Sequence, residues 1–313
     1  MTRAVVFAYH DIGVRCLAMI LARGIDVPLV VTHQDDPAED IWFGSVAEFA
    51  RSRAIPVIAP VDPNVPEITA RVRALRPDFL FSFYYRLMLK PDLLAAAGRG
   101  AFNMHGSLLP KYRGRAPVNW AIIHGERETG ATLHEMVEKP DAGRIVDQQA
   151  VPILPNDTAV DVFRKVSAAA ETVLDRALPL LIAGNAKMRP QDLAAGSYYG
   201  GRQPDDGLID WSRDAASVHN LVRAVAPPYP GAFCRLAGRT LKLLGTFNAG
   251  ERSPLAGQPA LIARGAELYL RCADGGMLKV LGAEFDGRPF DADTLRERFS
   301  ADSVPLRNEI ANS

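Results

Sequence analysis

The first two-thirds of the chain alternates short β-branched runs with segments of helical periodicity, and this alternation constrains the fold more than any other feature. Residues 5–8 and 28–32 predict strands, and residues 14–23 predict the helix between them, which ends at Gly24. Residues 78–84 predict a buried central strand, because apolar side chains follow one another there without alternating. Repeated strand–helix units indicate a mostly parallel, Rossmann-like α/β sheet with helices on both faces.

The pattern of the sequence changes toward its last third. Residues 158–182 predict one long helix, and residues 187–207 have the Gly- and Pro-rich composition of a linker. Short strand-like segments separated by Gly and Asp turns follow, which is the pattern of a small OB-like β barrel. We therefore predict two domains, a Rossmann-like catalytic domain at residues 1–205 and an OB-like β domain at residues 206–313.

Charge, hydropathy and cysteine usage exclude several classes of protein. The chain has 313 residues, and its 36 Lys and Arg balance its 36 Asp and Glu, which argues against a protein that holds a long nucleic acid by counter-ion release. No apolar run approaches the roughly 18 residues of a membrane span, and no secretory leader is recognisable. Three widely spaced cysteines, Cys16, Cys234 and Cys272, favour buried thiols over a disulfide framework or a metal site. We therefore expect a cytoplasmic protein without a metal.

One predicted strand carries two polar side chains that could perform chemistry. In residues 101–105, side chains alternate with period two, so Asn103 and His105 share one face while Phe102 and Met104 point into the core. An amide donor close to an imidazole, at the carboxyl end of a parallel strand, lies where open α/β sheets place their ligand sites. A structural polar pair at the end of a strand is the simpler alternative, and the spacing alone does not exclude it.

Two further segments carry groups that such a site would need. Residues 106–117 form a loop punctuated by Gly and Pro, and its cations Lys111, Arg113 and Arg115 either hold an anion or are solvated. Asp141 lies in a tight turn, where it either acts on the site or only forms the turn. The spacing leaves both alternatives open.

The other histidines receive simpler interpretations. His10 follows the first strand, where it could contact a substrate. The remaining ones are expected to be structural or to lie on the surface, and these are His33, His124, His134 and His219. The first strand is not followed by the glycines of G-x-G-x-x-G, so no dinucleotide cofactor is predicted.

Two segments together resemble the signature of a known family. Residues 103–110 read N-M-H-G-S-L-L-P and residues 141–143 read D-A-G, which is similar to the 10-formyltetrahydrofolate-dependent formyltransferases. The resemblance extends over nearly the whole chain. Within the family it is strongest to enzymes that formylate UDP-4-amino-4-deoxy-L-arabinose in lipid A modification and polymyxin resistance, and residues 7–11, 81–86 and 229–233 carry this closer likeness.

The resemblance implies a co-substrate and a mechanism. 10-Formyltetrahydrofolate would supply the formyl group, and the 4-amino group of a nucleotide-linked sugar would accept it through a tetrahedral intermediate. Asn103 would donate a hydrogen bond to the developing oxyanion, His105 would act as general acid and base, and Asp141 would orient His105 and stabilise its charged form. The residues implied for the folate site are Leu87, Met88, Leu89, Arg115, Val137, Glu138, Lys139, Pro140 and Asp141.

Two other functions remain compatible with the signature. Methionyl-tRNA formyltransferase shares it together with a C-terminal barrel, but a tRNA-binding enzyme should carry a basic barrel, and from Asp206 onward acidic residues are interspersed with the basic ones. A folate- or nucleotide-binding sensor without catalysis is the other alternative. We expect a small sugar nucleotide and folate as partners, no nucleic acid, and separate decarboxylase and aminotransferase enzymes for the neighbouring pathway steps.

Overall fold

In the computed structural model, which describes residues 1–36 and 41–308, strands and helices alternate through the first part of the chain. The strands are β1 (Arg3–Ala8), β2 (Asp26–Val31), β3 (Val57–Ile58), β4 (Phe79–Phe83), β5 (Gly100–His105), β6 (Arg113–Gly114), β7 (Glu128–Glu135), β8 (Ile145–Pro152), β9 (Tyr198–Tyr199), β10 (Ala232–Leu236), β11 (Arg239–Phe247), β12 (Ala260–Arg264), β13 (Glu267–Arg271), β14 (Met277–Phe285), β15 (Arg288–Pro289) and β16 (Ser303–Pro305). The α-helices are α1 (His10–Ala22), α2 (Val46–Ser52), α3 (Pro66–Ala74), α4 (Pro91–Leu94), α5 (Pro117–Ile123), α6 (Ala159–Ala183), α7 (Ala215–Ala224) and α8 (Ala292–Phe299).

A seven-stranded sheet contains the strands that the sequence predicts to be parallel. Its order is β3-β2-β1-β4-β5-β7-β8. The pairs from β3 to β5 are parallel, whereas β7 runs antiparallel to β5. This sheet confirms the predicted Rossmann-like α/β fold. The strand order reverses direction at β1 and β4, and sheets of this class bind ligands beyond the carboxyl ends of their strands near such a point.

Buried apolar side chains explain why these segments form the centre of the sheet. All five residues of β4 and the last five of β1 are buried, so both strands are covered on both faces. Helix α1 buries Ile12, Cys16 and Ile20 in the core at intervals of four residues, which keeps them on one side of a helix with about 3.6 residues per turn. The rings of Phe81 and Phe102, on adjacent strands, lie 6.0 Å apart and join β4 to β5.

A second, antiparallel sheet follows the linker. Its strand order is β10-β11-β14-β13-β12-β16, with β15 paired to β14, and it curls into a half-barrel, which confirms the predicted small β domain. Helix α7 begins after Asp214, whose carboxylate accepts a hydrogen bond from the Ser217 N–H, and α8 begins after Asp291, which accepts from Thr294 in the same way. The sequence pattern predicts neither of these helices.

The chain divides into two compact units. One comprises Met1–Pro117, Glu128–Val151 and Phe163–Gly200, and the other comprises Val118–Arg127, Pro152–Val162 and Gly201–Ser313. The domain boundary between residues 205 and 206 stays a prediction, and residues 309–313 of the predicted second domain lie outside the described residues. Within the described ranges, no helix is both long enough and apolar enough to cross a membrane.

Candidate active site

Asn103 and His105 lie at the carboxyl end of β5 and share one face of the strand, as the sequence predicts. The two residues that alternate with them, Phe102 and Met104, are fully buried in the core. β5 pairs with the antiparallel strand β7, and this register places His134 directly opposite Asn103. The pair of strands therefore presents an amide and two imidazoles to the same region.

A backbone carbonyl defines the orientation of the His105 ring. Nε2 of His105 lies 2.8 Å from the carbonyl oxygen of Tyr112. A carbonyl oxygen only accepts hydrogen bonds, so Nε2 carries a hydrogen and donates it. The other ring nitrogen, Nδ1, lies 3.6 Å from Oδ1 of Asp141, and both side chains are largely buried. Nδ1 is therefore the nitrogen of His105 that can exchange a proton.

The turn after β7 holds Asp141 in place through main-chain contacts. Asp141 has a left-handed backbone conformation with φ of 51°, and its Oδ2 accepts a hydrogen bond of 2.8 Å from the Gly114 N–H. Nε2 of Gln191 donates to the carbonyl oxygens of Asp141 and Gly143, at 3.0 and 2.6 Å. A Cβ atom at Gly143 would lie 2.0 Å from the carbonyl oxygen of Glu135, so only glycine allows this close approach.

The surroundings of Asp141 decide its charge. Burial alone raises the pKa of this carboxyl, but the electrostatic interaction with His105, the contacts with His134 and the Gly114 N–H outweigh burial and hold the pKa well below its usual value. Oδ1 of Asp141 is 3.6 Å from Nδ1 of His105 and 3.4 Å from Nε2 of His134. Asp141 is therefore a carboxylate at neutral pH and can stabilise a positive charge on either ring.

His134 belongs to this site, although the sequence predicts only a structural or surface role for it. Its Nε2 lies 3.1 Å from Nδ2 of Asn103, and its Nδ1 lies 2.7 Å from the carbonyl oxygen of Glu135. The side chain is 2% exposed. The signal that could identify it is the antiparallel pairing of β7 with β5, which a one-dimensional pattern does not specify.

The predicted folate residues after β4 differ in exposure. Leu87 and Met88 expose apolar side chains, 38% and 53%, whereas Leu89 is buried in the core. The Leu89 side chain therefore packs within the protein, and only its main chain remains to face a ligand. Asn64, which the sequence pattern does not identify, accepts a hydrogen bond from the Lys90 N–H at 2.7 Å and donates to the Met88 carbonyl at 3.0 Å. This side chain ties the exposed segment to the preceding loop.

The other predicted folate residues lie in the loop that contains Arg115 and in the turn after β7. The Arg115 guanidinium is exposed, and its Nη2 donates to the Arg86 carbonyl at 3.3 Å, which links it to the segment after β4. Val137 is an exposed apolar residue. Glu138 and Lys139 are exposed as well, and Pro140 is half-buried. The structure therefore presents both apolar and cationic groups in these two segments.

His10, a candidate substrate contact, lies just beyond the carboxyl end of β1, as the first residue of α1. Its backbone adopts φ of 68°, which is uncommon outside glycine and often marks a functional position. The ring stacks on Phe43 at 3.8 Å and contacts Phe163 edge-on at 4.5 Å. Burial, together with the charge of Arg86, lowers the pKa of His10 to about 3, so the ring is neutral. Nδ1 accepts a hydrogen bond from the Asp11 N–H, which leaves the proton on Nε2.

The amide of Asn103, the imidazole of His105 and the carboxylate of Asp141 thus meet near the carboxyl end of β5, where open α/β sheets bind their ligands, and they include a possible acid–base group with a carboxylate beside it. The sequence matches the formyl transferase family over residues 21–178 and the formyl transferase C-terminal domain over residues 202–298. The chain therefore belongs to the formyl transferase family. This confirms the family and the enzyme class, an N-formyltransferase, that the sequence predicts.

Solved structures with the same fold include several N-formyltransferases. One from Helicobacter canadensis, in complex with folinic acid and dTDP-3-aminofucose, is 21% identical with a TM-score of 0.73, and the match covers 93% of this chain and 100% of that one. WlaRD, a sugar 3N-formyl transferase in the presence of dTDP and 5-N-formyl-THF, is 23% identical with a TM-score of 0.67, over 90% of this chain and 97% of that one. A sugar N-formyltransferase from a Shewanella species is 19% identical with a TM-score of 0.61, over 77% and 96%. These similarities establish the fold.

Proposed function

We propose that this protein transfers the formyl group of 10-formyltetrahydrofolate to the amine of a nucleotide-linked amino sugar. The proposed acceptor is the 4-amino group of UDP-4-amino-4-deoxy-L-arabinose, in lipid A modification and polymyxin resistance. The observation that carries the proposal is the meeting of Asn103, His105 and Asp141 in a chain of the formyl transferase family. Proteins of the same fold that bind folates and dTDP ligands support both substrate classes.

Asn103 is the group that we assign to the developing oxyanion. Formyl transfer forms a bond between the sugar nitrogen and the formyl carbon, and it breaks the bond between that carbon and N10 of the folate. The carbonyl oxygen gains negative charge on the way, and the amide of Asn103 is a donor at the end of the strand where the site lies. Removal of one such donor costs about 10²–10³ in rate.

His105 moves the proton that this transfer requires. The attacking amine must lose a proton and N10 must gain one, and Nε2 of His105 is already committed to the Tyr112 carbonyl. Nδ1 therefore accepts the proton from the amine and returns it to N10. While Nδ1 holds the proton, the imidazolium faces the carboxylate of Asp141 at 3.6 Å, which stabilises its charge.

The groups proposed to hold the folate fit its chemistry. The exposed side chains of Leu87 and Met88 suit the flat, apolar face of a pteridine ring. Arg115 presents an exposed guanidinium, which pairs well with the carboxylates of the folate tail. Val137 and the turn as far as Asp141 complete the proposed site, and the folate supplies the activated formyl carbon when it is bound.

Turnover with defined substrates tests this function. The purified protein is incubated with 10-formyltetrahydrofolate and UDP-4-amino-4-deoxy-L-arabinose, and release of tetrahydrofolate is followed together with the mass of the sugar nucleotide. We expect stoichiometric release and a formylated sugar. A UDP-sugar with a hydroxyl in place of the 4-amino group is the matched control and should remain unmodified.

The outcomes separate the candidate functions. Transfer to a dTDP-linked amino sugar but not to the UDP-linked one would overturn the arabinose substrate and keep the reaction class. Transfer to methionyl-tRNA in place of sugars would favour the tRNA enzyme. Binding of folate without transfer to any amine would favour a folate-binding sensor without catalysis.

We also propose a cytoplasmic location, which the burial of Cys16 and Cys272 as thiols supports. Separate enzymes are proposed for the decarboxylation and amination steps.

A further inference from the structure

His134 and Asn103 form a cross-strand pair beside the reacting groups. They oppose each other in the β5–β7 register, and opposed side chains lie on one face of a sheet with Cβ atoms about 5 Å apart. Since the His134 side chain is 2% exposed, its ring nitrogens depend on protein partners for their hydrogen bonds. Both nitrogens have such a partner within 3.1 Å.

The partners of His134 determine where its proton lies. Nδ1 is 2.7 Å from the carbonyl oxygen of Glu135, and because a carbonyl oxygen only accepts, Nδ1 carries the hydrogen. In the neutral ring, Nε2 then presents a lone pair. Two polar groups lie close to that lone pair, Nδ2 of Asn103 at 3.1 Å and Oδ1 of Asp141 at 3.4 Å. A carboxylate only accepts, so in the neutral ring it is the amide that donates one of its two hydrogens to His134.

This bond distinguishes the two ends of the Asn103 amide. Rotation of the amide by half a turn would place its oxygen against the lone pair of Nε2, and burial would prevent water from relieving that repulsion. Oδ1 of Asp141, 3.4 Å from the same Nε2, adds negative charge that also repels the amide oxygen. The nitrogen end is therefore held in place, and its second hydrogen remains available.

We propose that His134 is a positioning residue that orients the amide of Asn103, so that a donor faces the carbonyl oxygen of the formyl group. This inference rests on the proposed function, because the donor matters only if an oxyanion forms. His134 contacts the amide and not the reacting atoms, so its effect on the reaction passes through Asn103. Loss of His134 should then remove at most what Asn103 itself contributes.

Two substitutions of His134 distinguish loss of its hydrogen-bond acceptor from loss of its buried side-chain volume. His134→Leu keeps most of the buried volume and removes the acceptor, so we expect kcat to fall by at least tenfold, up to the about 10²–10³ of a lost oxyanion donor. KM for 10-formyltetrahydrofolate should stay unchanged, because the bond acts on the transition state. His134→Gln places an amide oxygen near the position of Nε2, accepts the same hydrogen, and should restore most of kcat.

A double-mutant cycle tests whether His134 acts on kcat through Asn103. In the background of Asn103→Ala, His134→Leu should change kcat by less than threefold, because the group through which it acts is gone. Equal fold-losses in both backgrounds would overturn the proposal, as would failure of His134→Gln to exceed His134→Leu. An Nε2–H tautomer of His134 in the nitrogen NMR spectrum of the wild-type protein would also contradict it.

His219 provides the matched control. It is also 2% exposed, and its ring bonds Thr246 Oγ1 at 2.8 Å and the Pro155 carbonyl at 3.0 Å. His219→Leu should lower the melting temperature as His134→Leu does, yet leave kcat per folded molecule unchanged. Failure of the wild-type protein to transfer formyl to any amine would overturn the proposed function, whereas wild-type turnover with an unimpaired His134→Leu variant would overturn only this inference.

Discussion

His105 and Asp141 are each oriented by a main-chain group that does not have to move during a reaction. The Tyr112 carbonyl accepts from Nε2 of His105 at 2.8 Å, and the Gly114 N–H donates to Asp141 at 2.8 Å. Main-chain partners require little side-chain ordering when substrate binds, so the polar groups are in position beforehand. We therefore expect substitutions of these side chains to affect chemistry more than binding.

Replacement of His105 tests this expectation directly. His105→Ala should lower kcat by about 10²–10⁴, the usual contribution of a general acid–base group, and leave the Kd for 10-formyltetrahydrofolate unchanged. Steady-state kinetics and calorimetric titration give the two quantities. His124→Ala, at an exposed histidine, is the control and should match the wild-type protein. A parallel loss of folate affinity in His105→Ala would show that the ring is structural.

The lowered pKa of Asp141 makes a prediction about stability and pH. The pKa of Asp141 is lower in the folded protein than the value of about 3.9 expected in the unfolded chain. The charged carboxylate therefore stabilises the fold fully above about pH 4, and this contribution is lost as the pH falls toward the folded-state pKa. Asp141→Asn should therefore unfold more easily than the wild-type protein at pH 7. The difference in the free energy of unfolding, measured with urea, should shrink below about pH 4. A difference that stays constant to pH 2.5 would refute this account.

At the scale of the element, the turn between β7 and β8 positions Asp141 for both histidines. The backbone closes on itself there, since the Glu135 N–H donates to the Arg144 carbonyl at 2.9 Å and the Arg144 guanidinium forms two bonds with the Glu135 carboxylate. Gly143 lies inside this closure, against the Glu135 carbonyl. The conformation of the turn thus depends on a residue without a side chain.

Gly143→Ala tests the turn. The new methyl group would meet a backbone oxygen at 2.0 Å, so the turn must shift and carry Asp141 with it. We expect a loss of about 1–3 kcal/mol in the free energy of unfolding and a reduced kcat. Gly98→Ala is the control, because its nearest contact is 3.8 Å away and it should be tolerated. Wild-type kcat in Gly143→Ala would mean that the turn tolerates the shift.

At the scale of the whole molecule, charge balance bears on the choice of acceptor. The chain carries 36 basic and 36 acidic residues. Several basic side chains of the curled sheet and its flanking turns are paired with acids, as in Arg239–Asp286, Arg264–Glu251 and Lys279–Glu267. Paired cations release few counter-ions on contact with a phosphate backbone, so this sheet is poorly suited to tRNA.

Filter binding with initiator tRNA tests this point. We expect weak retention that changes little between about 50 and 200 mM salt, whereas a tRNA enzyme that makes several phosphate contacts loses orders of magnitude in affinity over that range. The UDP-amino sugar, titrated by calorimetry under the same conditions, serves as the comparison. Tight, salt-sensitive tRNA binding would contradict the sugar acceptor.

Much of the fold is readable from periodicity, but its boundaries and its later elements are not. The strand predicted at residues 101–105 appears as β5, and the helix predicted at residues 158–182 appears as α6, Ala159–Ala183. Helices α7 and α8 begin at Asp caps whose partners lie three residues on, a signal that is weak beside Gly and Asp turns. The resemblance implies that Leu89 lines the folate site together with Leu87 and Met88, but its side chain is buried in the core.

By itself, the sequence determined the alternation of strands and helices, the shared face of Asn103 and His105, and the family, because these follow from local periodicity and from an ordered motif. Only the tertiary structure decided that His134 faces Asn103 and that Asp141 lies near two imidazoles. The contacts of Asn103 with His134 and of His105 with Asp141 join residues 31 and 36 positions apart, and they depend on strand register and on the turn after β7. Hydrogen-bond partners of this kind exist only once the chain has folded.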